Sequence, residues 1–102
     1  MKDSIAVIIP CYNGWKYMSN CLESLENQSS LPNQIIIVDD CSTDDSFEHL
    51  NNYILKSPLK IQLVRNESNV GPGQSRANAL KYVATEYVSF CDCDDWFEVT
   101  FI

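Results

Sequence analysis

Two runs of β-branched residues constrain this chain more than any other feature. Ile5-Ala6-Val7-Ile8-Ile9 and Ile35-Ile36-Ile37-Val38 contain no polar residue. A strand with one wet face alternates apolar and polar positions, and neither run does. Strands that are apolar at every position are buried on both faces, the pattern of a parallel sheet covered by helices.

The segments between these runs agree with that reading. Gly14 to Asn27 reads as a helix, because Met18, Cys21, Leu22 and Leu25 recur at spacings of three and four and form one apolar stripe. Gln28 to Asn33 reads as a turn. Ser42 and Asp45 resemble a capping box with Asp in place of Glu, followed by a helix to about Leu55 that carries Phe47, Leu50 and Ile54 on one face. Ser57-Pro58 breaks it. Ile61 to Val64 reads as a third strand. Gln74 to Ala84 reads as a third helix with Ala77, Leu80, Val83 and Ala84 inward. Tyr87 to Cys91 reads as a buried fourth strand. The alternation β-α-β-α-β-α-β predicts a parallel sheet with right-handed crossovers, a doubly wound α/β sandwich of strand order 3-2-1-4. Ligands bind such folds outside the carboxyl ends of the strands, where the winding reverses between strands 1 and 4.

At those ends the sequence turns acidic. Asp39-Asp40 closes the second run, and Cys91-Asp92-Cys93-Asp94-Asp95 closes the fourth. Carboxylates this close repel one another, and removing them from water adds to the cost, so the cluster implies a cation. Oxygen ligands of this kind suit Mg²⁺ or Mn²⁺. The loop after strand 1, Pro10-Cys11-Tyr12-Asn13, supplies an aromatic face on which a nucleobase can stack, and Asp40 can accept a ring N–H. Gly71-Pro72-Gly73-Gln74-Ser75-Arg76 departs from the dinucleotide fingerprint, lacking its third glycine and following strand 3. It reads instead as a tight entry into a helix whose N-terminus favours anions, with Arg76 in reach of a phosphate or of the acids. The single histidine, His49, falls mid-helix and reads as a surface residue.

Composition excludes several classes. The 102 residues suit one domain. Seven basic against fourteen acidic residues give a net charge of −7, which leaves no basic stripe for nucleic acid. No apolar stretch is long enough to span a bilayer, and Met1-Lys2-Asp3-Ser4 leads into the first strand without a signal-peptide pattern. Five cysteines without a CxxC pair point to a reducing, cytoplasmic setting. Cys11, Cys41 and Cys91 all fall at strand ends, where a zinc thiolate site is conceivable, although buried thiols commonly serve as small hydrophobes.

Four stretches, in order, resemble the amino-terminal half of family 2 glycosyltransferases of the GT-A fold. Val7-Ile8-Ile9-Pro10-Cys11-Tyr12-Asn13 resembles the opening strand and Pro-x-Tyr-Asn turn. Ile36-Ile37-Val38-Asp39-Asp40-Cys41-Ser42-Thr43-Asp44 resembles the Asp-Asp-x-Ser-x-Asp segment. Asn69 to Arg76 resembles the Gly-rich helix entry, and Val88 to Asp95 the Asp-x-Asp-Asp motif. Ala77 departs from the family, which often has Asn directly after the Arg; Asn78 comes one position later. The resemblance implies a Rossmann-like nucleotide-diphospho-sugar transferase fold and transfer of a sugar, usually UDP-linked, to a saccharide or lipid-linked acceptor in cell-surface polysaccharide synthesis. It assigns nucleotide binding to Pro10, Tyr12, Asn13, Asp39, Asp40, Gly71, Arg76, Asp92 and Asp94, and a Mn²⁺ or Mg²⁺ ion to Asp94, Asp92 and Asp95. It sets the catalytic base and the acceptor site on a later segment, beyond Ile102, and so names no catalytic residue within the chain. Residues 1–102 then read as a truncated donor-binding half that transfers no sugar alone, exposes a sheet edge open to self-association, and belongs to a protein at the inner face of the membrane. Two other readings stand beside it: a nucleotide-binding module without catalysis, and a metal-dependent phosphoryl-transfer domain of the receiver type. The latter places its acidic pair after strand 1, where this chain has Pro10-Cys11-Tyr12-Asn13.

Overall fold

A computed structural model describes residues 4–27 and 31–91. The elements run β1 (Ile5–Cys11), α1 (Trp15–Glu26), β2 (Gln34–Asp39), α2 (Ser46–Lys56), β3 (Ile61–Arg65), α3 (Pro72–Leu80) and β4 (Tyr87–Phe90). All strand pairs are parallel and the sheet order is β3-β2-β1-β4, as the sequence predicts. The register pairs Ile8 with Ile36 and with Phe90, and Ile37 with Leu63.

The apolar runs divide their side chains between two cores. Val7, Ile9, Ile35 and Ile37 point toward α1 and α2, where they meet Met18, Cys21, Leu22, Leu25 and Leu50. Ile8, Ile36 and Val38 point the other way, against Ala79 of α3. Strict alternation of the pleat makes neighbouring positions serve opposite layers. The α1 stripe is buried as expected. Trp15 closes the first core from the side, its ring stacked on His49 at 5.3 Å and edge-on to Tyr53 at 5.9 Å. His49 is thus half-buried against an aromatic face, rather than a plain surface residue.

Three expectations need correction. Ser42 and Asp45 do not form a capping box: the Ser42 hydroxyl is drawn to Asp39, Asp45 makes no side-chain cap, and Asp44 Oδ1 instead accepts the Ser46 N–H at 2.9 Å. Helix α3 is offset from 74–84. Pro72 starts it early, since proline at the first helical position gives up only an N–H that has no partner there. It ends early because the Gln34 side chain holds the following turn, donating to Tyr82 O at 2.7 Å and accepting from Ala84 N at 3.1 Å. Its buried residues are Ser75 and Ala79, while Ala77, Leu80 and Ala84 are exposed. Only small side chains allow α3 to lie close over β1 and β2. Finally, β4 is not buried: Tyr87, Val88 and Phe90 are exposed, because among the described residues this strand pairs only with β1. No helix among the described residues is long and apolar enough to cross a membrane.

Truncating Leu22, which is wholly buried between α1 and the sheet, is expected to cost about 2–5 kcal/mol of stability. Leu55→Ala, at a position 83% exposed, should change it by less than about 0.5 kcal/mol. Urea denaturation of both variants measures the contrast.

Candidate functional site

The carboxyl ends of β1 and β2 carry the acids, and the chain neutralises them locally. Asp39 ends β2 and is completely buried. It accepts the Ser42 N–H at 3.1 Å and the Ser42 hydroxyl, and the Arg65 guanidinium approaches at 3.5 Å from the end of β3. Arg65 also donates to Ser42 O at 3.2 Å and lies over the Phe47 ring, 4.6 Å from its centroid. A buried carboxylate needs hydrogen bonds and a counter-charge, and Ser42 and Arg65 supply them.

Asp40, 3% exposed, reaches the opposite way, toward the β3–α3 loop. Its Oδ1 accepts the Val70 N–H at 2.8 Å and the Asn66 amide at 3.0 Å; its Oδ2 accepts the Gly71 N–H at 2.8 Å. Burial pushes its pKa up, but the Val70 N–H, the Asn66 amide, the Gly71 N–H and the Ser75 hydroxyl outweigh that and hold it below the ordinary carboxylate value. Gly71 sits at φ 88°, a conformation that side chains with a Cβ rarely adopt, and this turns two successive N–H groups onto one carboxylate.

Asn13 ties the loop after β1 to the loop after β2. Its own N–H donates to Ser42 Oγ at 2.9 Å, its Oδ1 accepts from Thr43 N at 2.9 Å and Asp44 N at 3.3 Å, and its Nδ2 donates to Thr43 Oγ1 at 3.2 Å. Asn13 at φ 50° and Cys41 at φ 59° are the non-glycine residues of positive φ among those described. Each such residue costs on the order of 1–2 kcal/mol, which these contacts offset. Tyr12 projects beyond the end of β1 and is 46% exposed, whereas Pro10 is buried.

The structure therefore brings Pro10, Tyr12, Asn13, Asp39, Asp40 and Gly71 to one edge of the sheet, with Arg76 half-buried in the first turns of α3. Asp92, Asp94 and Asp95 lie outside the described residues. They follow Cys91, whose N–H donates to Ile8 O at 3.0 Å. Ile102 also lies outside the described residues, so the expectation of a catalytic base beyond it stays an expectation, and no catalytic base is assigned within the chain. Among the described residues no group of three or more His, Cys, Asp or Glu side chains is placed to hold a metal. A zinc thiolate set of Cys11, Cys41 and Cys91 does not form: Cys91 Sγ turns into the core, 3.7 Å from Cys21 Sγ, and Cys41 Sγ faces Glu67 O. Sequence reasoning missed Ser42, Arg65, Asn66 and Ser75, the polar residues that hold the two acids. Strand order alone separates the site from receiver domains, whose sheets run 2-1-3-4-5.

The profile described as Glycosyl transferase family 2 matches residues 6–102. The chain belongs to that family. It is 41% identical over 95 residues to a poly(ribitol-phosphate) beta-glucosyltransferase of Bacillus spizizenii, covering 90% of this chain and 15% of that protein. It is 39% identical over 93 residues to the poly(ribitol-phosphate) beta-N-acetylglucosaminyltransferase TarS of Staphylococcus aureus, covering 89% of this chain and 16% of TarS. The chain thus spans about one-sixth of the length of these relatives. The crystal structure of TarS 1–349 in complex with UDP-GlcNAc superposes with a TM-score of 0.81 at 37% identity, over 91% of this chain and 27% of that one. The fold also matches the mannosyltransferase PcManGT of Pyrobaculum calidifontis, crystallised with GDP-Man and Mn²⁺, at a TM-score of 0.87 and 24% identity over 95% of this chain and 29% of that one. This family 2 chain has the GT-A type of fold.

The depressed pKa of Asp40 sets the sign of a pH effect. Its contribution to stability is fully present above the ordinary carboxylate value of 3.8 and is lost as pH falls through the lower folded value. Asp40→Asn removes one acceptor oxygen and should cost about 1–3 kcal/mol near neutrality. Urea midpoints of wild type and variant should converge as pH drops below that value.

Proposed function

We propose that this chain forms the donor-nucleotide site of a glycosyltransferase that takes a sugar from a UDP-linked donor. The observation that carries the reading is the placement of exposed Tyr12 at the end of β1 beside buried, ionised Asp40 at the end of β2. The ring offers a stacking face, and the carboxylate is the charged acceptor next to it. A base that stacks on Tyr12 places a ring N–H toward Asp40. Asp39 does not reach the ligand in this account; it holds Ser42 and so the shape of the loop. Asn13 acts in the same way, since its side chain is spent on Thr43 and Asp44. Gly71 and Arg76 border the site from the α3 side, where helix N–H groups and a guanidinium favour a diphosphate.

The Asp92-x-Asp94-Asp95 segment offers hard oxygen donors suited to Mn²⁺ or Mg²⁺. When bound, such an ion neutralises the charge that gathers on the departing diphosphate. Asp94, with Asp92 and Asp95 assisting, is the proposed ligand set, and Asp92 also borders the ribose. The acceptor in this proposal is a saccharide or a lipid-linked polymer of the cell surface, and the base that takes its proton belongs to a segment beyond Ile102. Its support is that relatives sharing about two-fifths of the aligned residues act on poly(ribitol-phosphate) and that one was crystallised with UDP-GlcNAc. A cytoplasmic location at the inner face of the membrane completes the proposal; five cysteines without a CxxC pair favour the reducing compartment.

Tyr12→Ala should weaken UDP binding by about 1–3 kcal/mol, the value of one base–aromatic stack. Calorimetric titration reads this directly, and an unchanged affinity in a folded variant would remove the stacking role. UDP affinity should also fall when Mn²⁺ is replaced by chelator, and Asp94→Ala should abolish the difference. Equal affinity with and without the ion would remove the cation from the account.

A further inference from the structure

Asn66 is the residue on which the polar contacts around Asp40 converge. It follows the last residue of β3, and its N–H donates to Asp39 O at 2.9 Å, continuing the β2–β3 ladder one step past Arg65. That bond fixes its backbone beside the two acids. Its side-chain amide has two protons, and each has a partner: Asp40 Oδ1 at 3.0 Å and Ser75 Oγ at 3.0 Å. Its Oδ1 accepts from Asn78 Nδ2 at 3.3 Å, and Asn78 in turn accepts from Gln74 Nε2 at 2.9 Å. A relay of three amides thus joins α3 to the carboxylate.

We propose that Asn66 is a positioning and specificity-determining residue, which occupies Oδ1 of Asp40 and leaves Oδ2 as the oxygen able to receive a base. This deepens the function proposed above and rests on its placing a base against Asp40. A carboxylate offers about four acceptor directions, two on each oxygen. Val70 N–H and the Asn66 amide fill both on Oδ1; the Gly71 N–H bonds Oδ2, and the Ser75 hydroxyl is the fourth group that bonds the carboxylate. The Ser75 hydroxyl lies against the same carboxylate, but as the acceptor of the second Asn66 proton it is a rotor that can turn aside. The single direction that this hydroxyl can vacate suits a base with one ring N–H, such as the N3–H of uracil. Guanine presents two adjacent donors, N1–H and the 2-amino group, and pairs well with a carboxylate only when both oxygens are open. The side chain that orients Asp40 therefore also selects against guanine, by a filled acceptor rather than by a clash.

The test compares UDP and GDP, each titrated calorimetrically in the presence of Mn²⁺, on wild type and Asn66→Ala. Amide NMR spectra report on Val70 and Gly71, whose N–H groups touch the carboxylate. In the variant, UDP affinity should fall roughly tenfold, the size of one hydrogen bond to a charged group. GDP affinity should fall less or rise, so that the UDP/GDP ratio narrows, and the Val70 and Gly71 resonances should shift more than those of β1 or α1. Asn66→Ser, too short to span the gap to Asp40, is the second variant if alanine prevents folding, and the same changes are expected of it. Leu55→Ala, 83% exposed on α2 and outside these contacts, should leave the ratio within about twofold. A folded Asn66 variant with an unchanged ratio and unmoved Val70 and Gly71 resonances would overturn this proposal alone. Folded wild-type protein that binds neither nucleotide would overturn the donor-site reading and this inference with it.

Discussion

The structure depends on how two adjacent carboxylates are paired and hydrogen-bonded at the end of a buried strand. Asp39 is fully enclosed and Asp40 nearly so, and leaving either unpaired would cost several kcal/mol. The two solve the problem in opposite directions. Asp39 turns toward α2 and takes Ser42 and Arg65; Asp40 turns toward α3 and takes Val70, Gly71 and Asn66. Consecutive residues of a strand point to opposite faces, so the pair reaches both helical layers at once. Each acid then dictates the course of one loop, and the loops border the edge where Tyr12 is exposed.

This arrangement explains why the site is rigid where it must be and open where it can be. The loop after β2 is held by Asn13, Ser42 and Asp44, with Cys41 in it and Asn13 in the neighbouring loop kept at positive φ. The β3–α3 loop is held by a single carboxylate acting on two backbone N–H groups. Tyr12 takes no part in the hydrogen bonds described above and is 46% exposed. Acceptors already held in place beside a half-exposed aromatic ring would lower the entropy cost of the binding proposed above, because the protein need not be ordered first.

Much of the architecture was legible because the strongest signals were local. The runs at Ile5–Ile9 and Ile35–Val38 declare strands buried on both faces, and the α1 stripe declares a helix; strand order followed from the alternation. The convergence of Tyr12, Asp39 and Asp40 was legible too, since all three fall at strand ends, with Gly71 at the entry to α3. Their division of labour was not. Asp40 is satisfied by N–H groups some thirty positions away, and no pattern near residue 40 reveals them. Ser42 looked like a helix cap because serine caps helices, yet a buried carboxylate three residues back competes better for its hydroxyl. Helix α3 misled for a related reason: its alanines gave no clear stripe, and what ends it is the amide of Gln34 on β2. Asn66 carried no signal, being one asparagine in a polar loop.

The uniform greasiness of β1 and β2 has a further consequence. In most sheets a one-residue slip throws apolar side chains into water, and that penalty fixes the alignment. Here Ile8 and Ile9, or Ile36 and Ile37, could exchange faces with little change in what is buried. The alignment must therefore be fixed at the strand ends. At one end Asn33 brackets Ile5, accepting its N–H and donating to its carbonyl, each at 3.0 Å. At the other, Asp40 N donates to Cys11 O at 2.8 Å and Asn13 grips Thr43. Substitutions at this second end that look like changes to a ligand-contacting surface would also loosen the phase between the two central strands. Mutational effects on binding there and on the fidelity of folding are then bound to travel together.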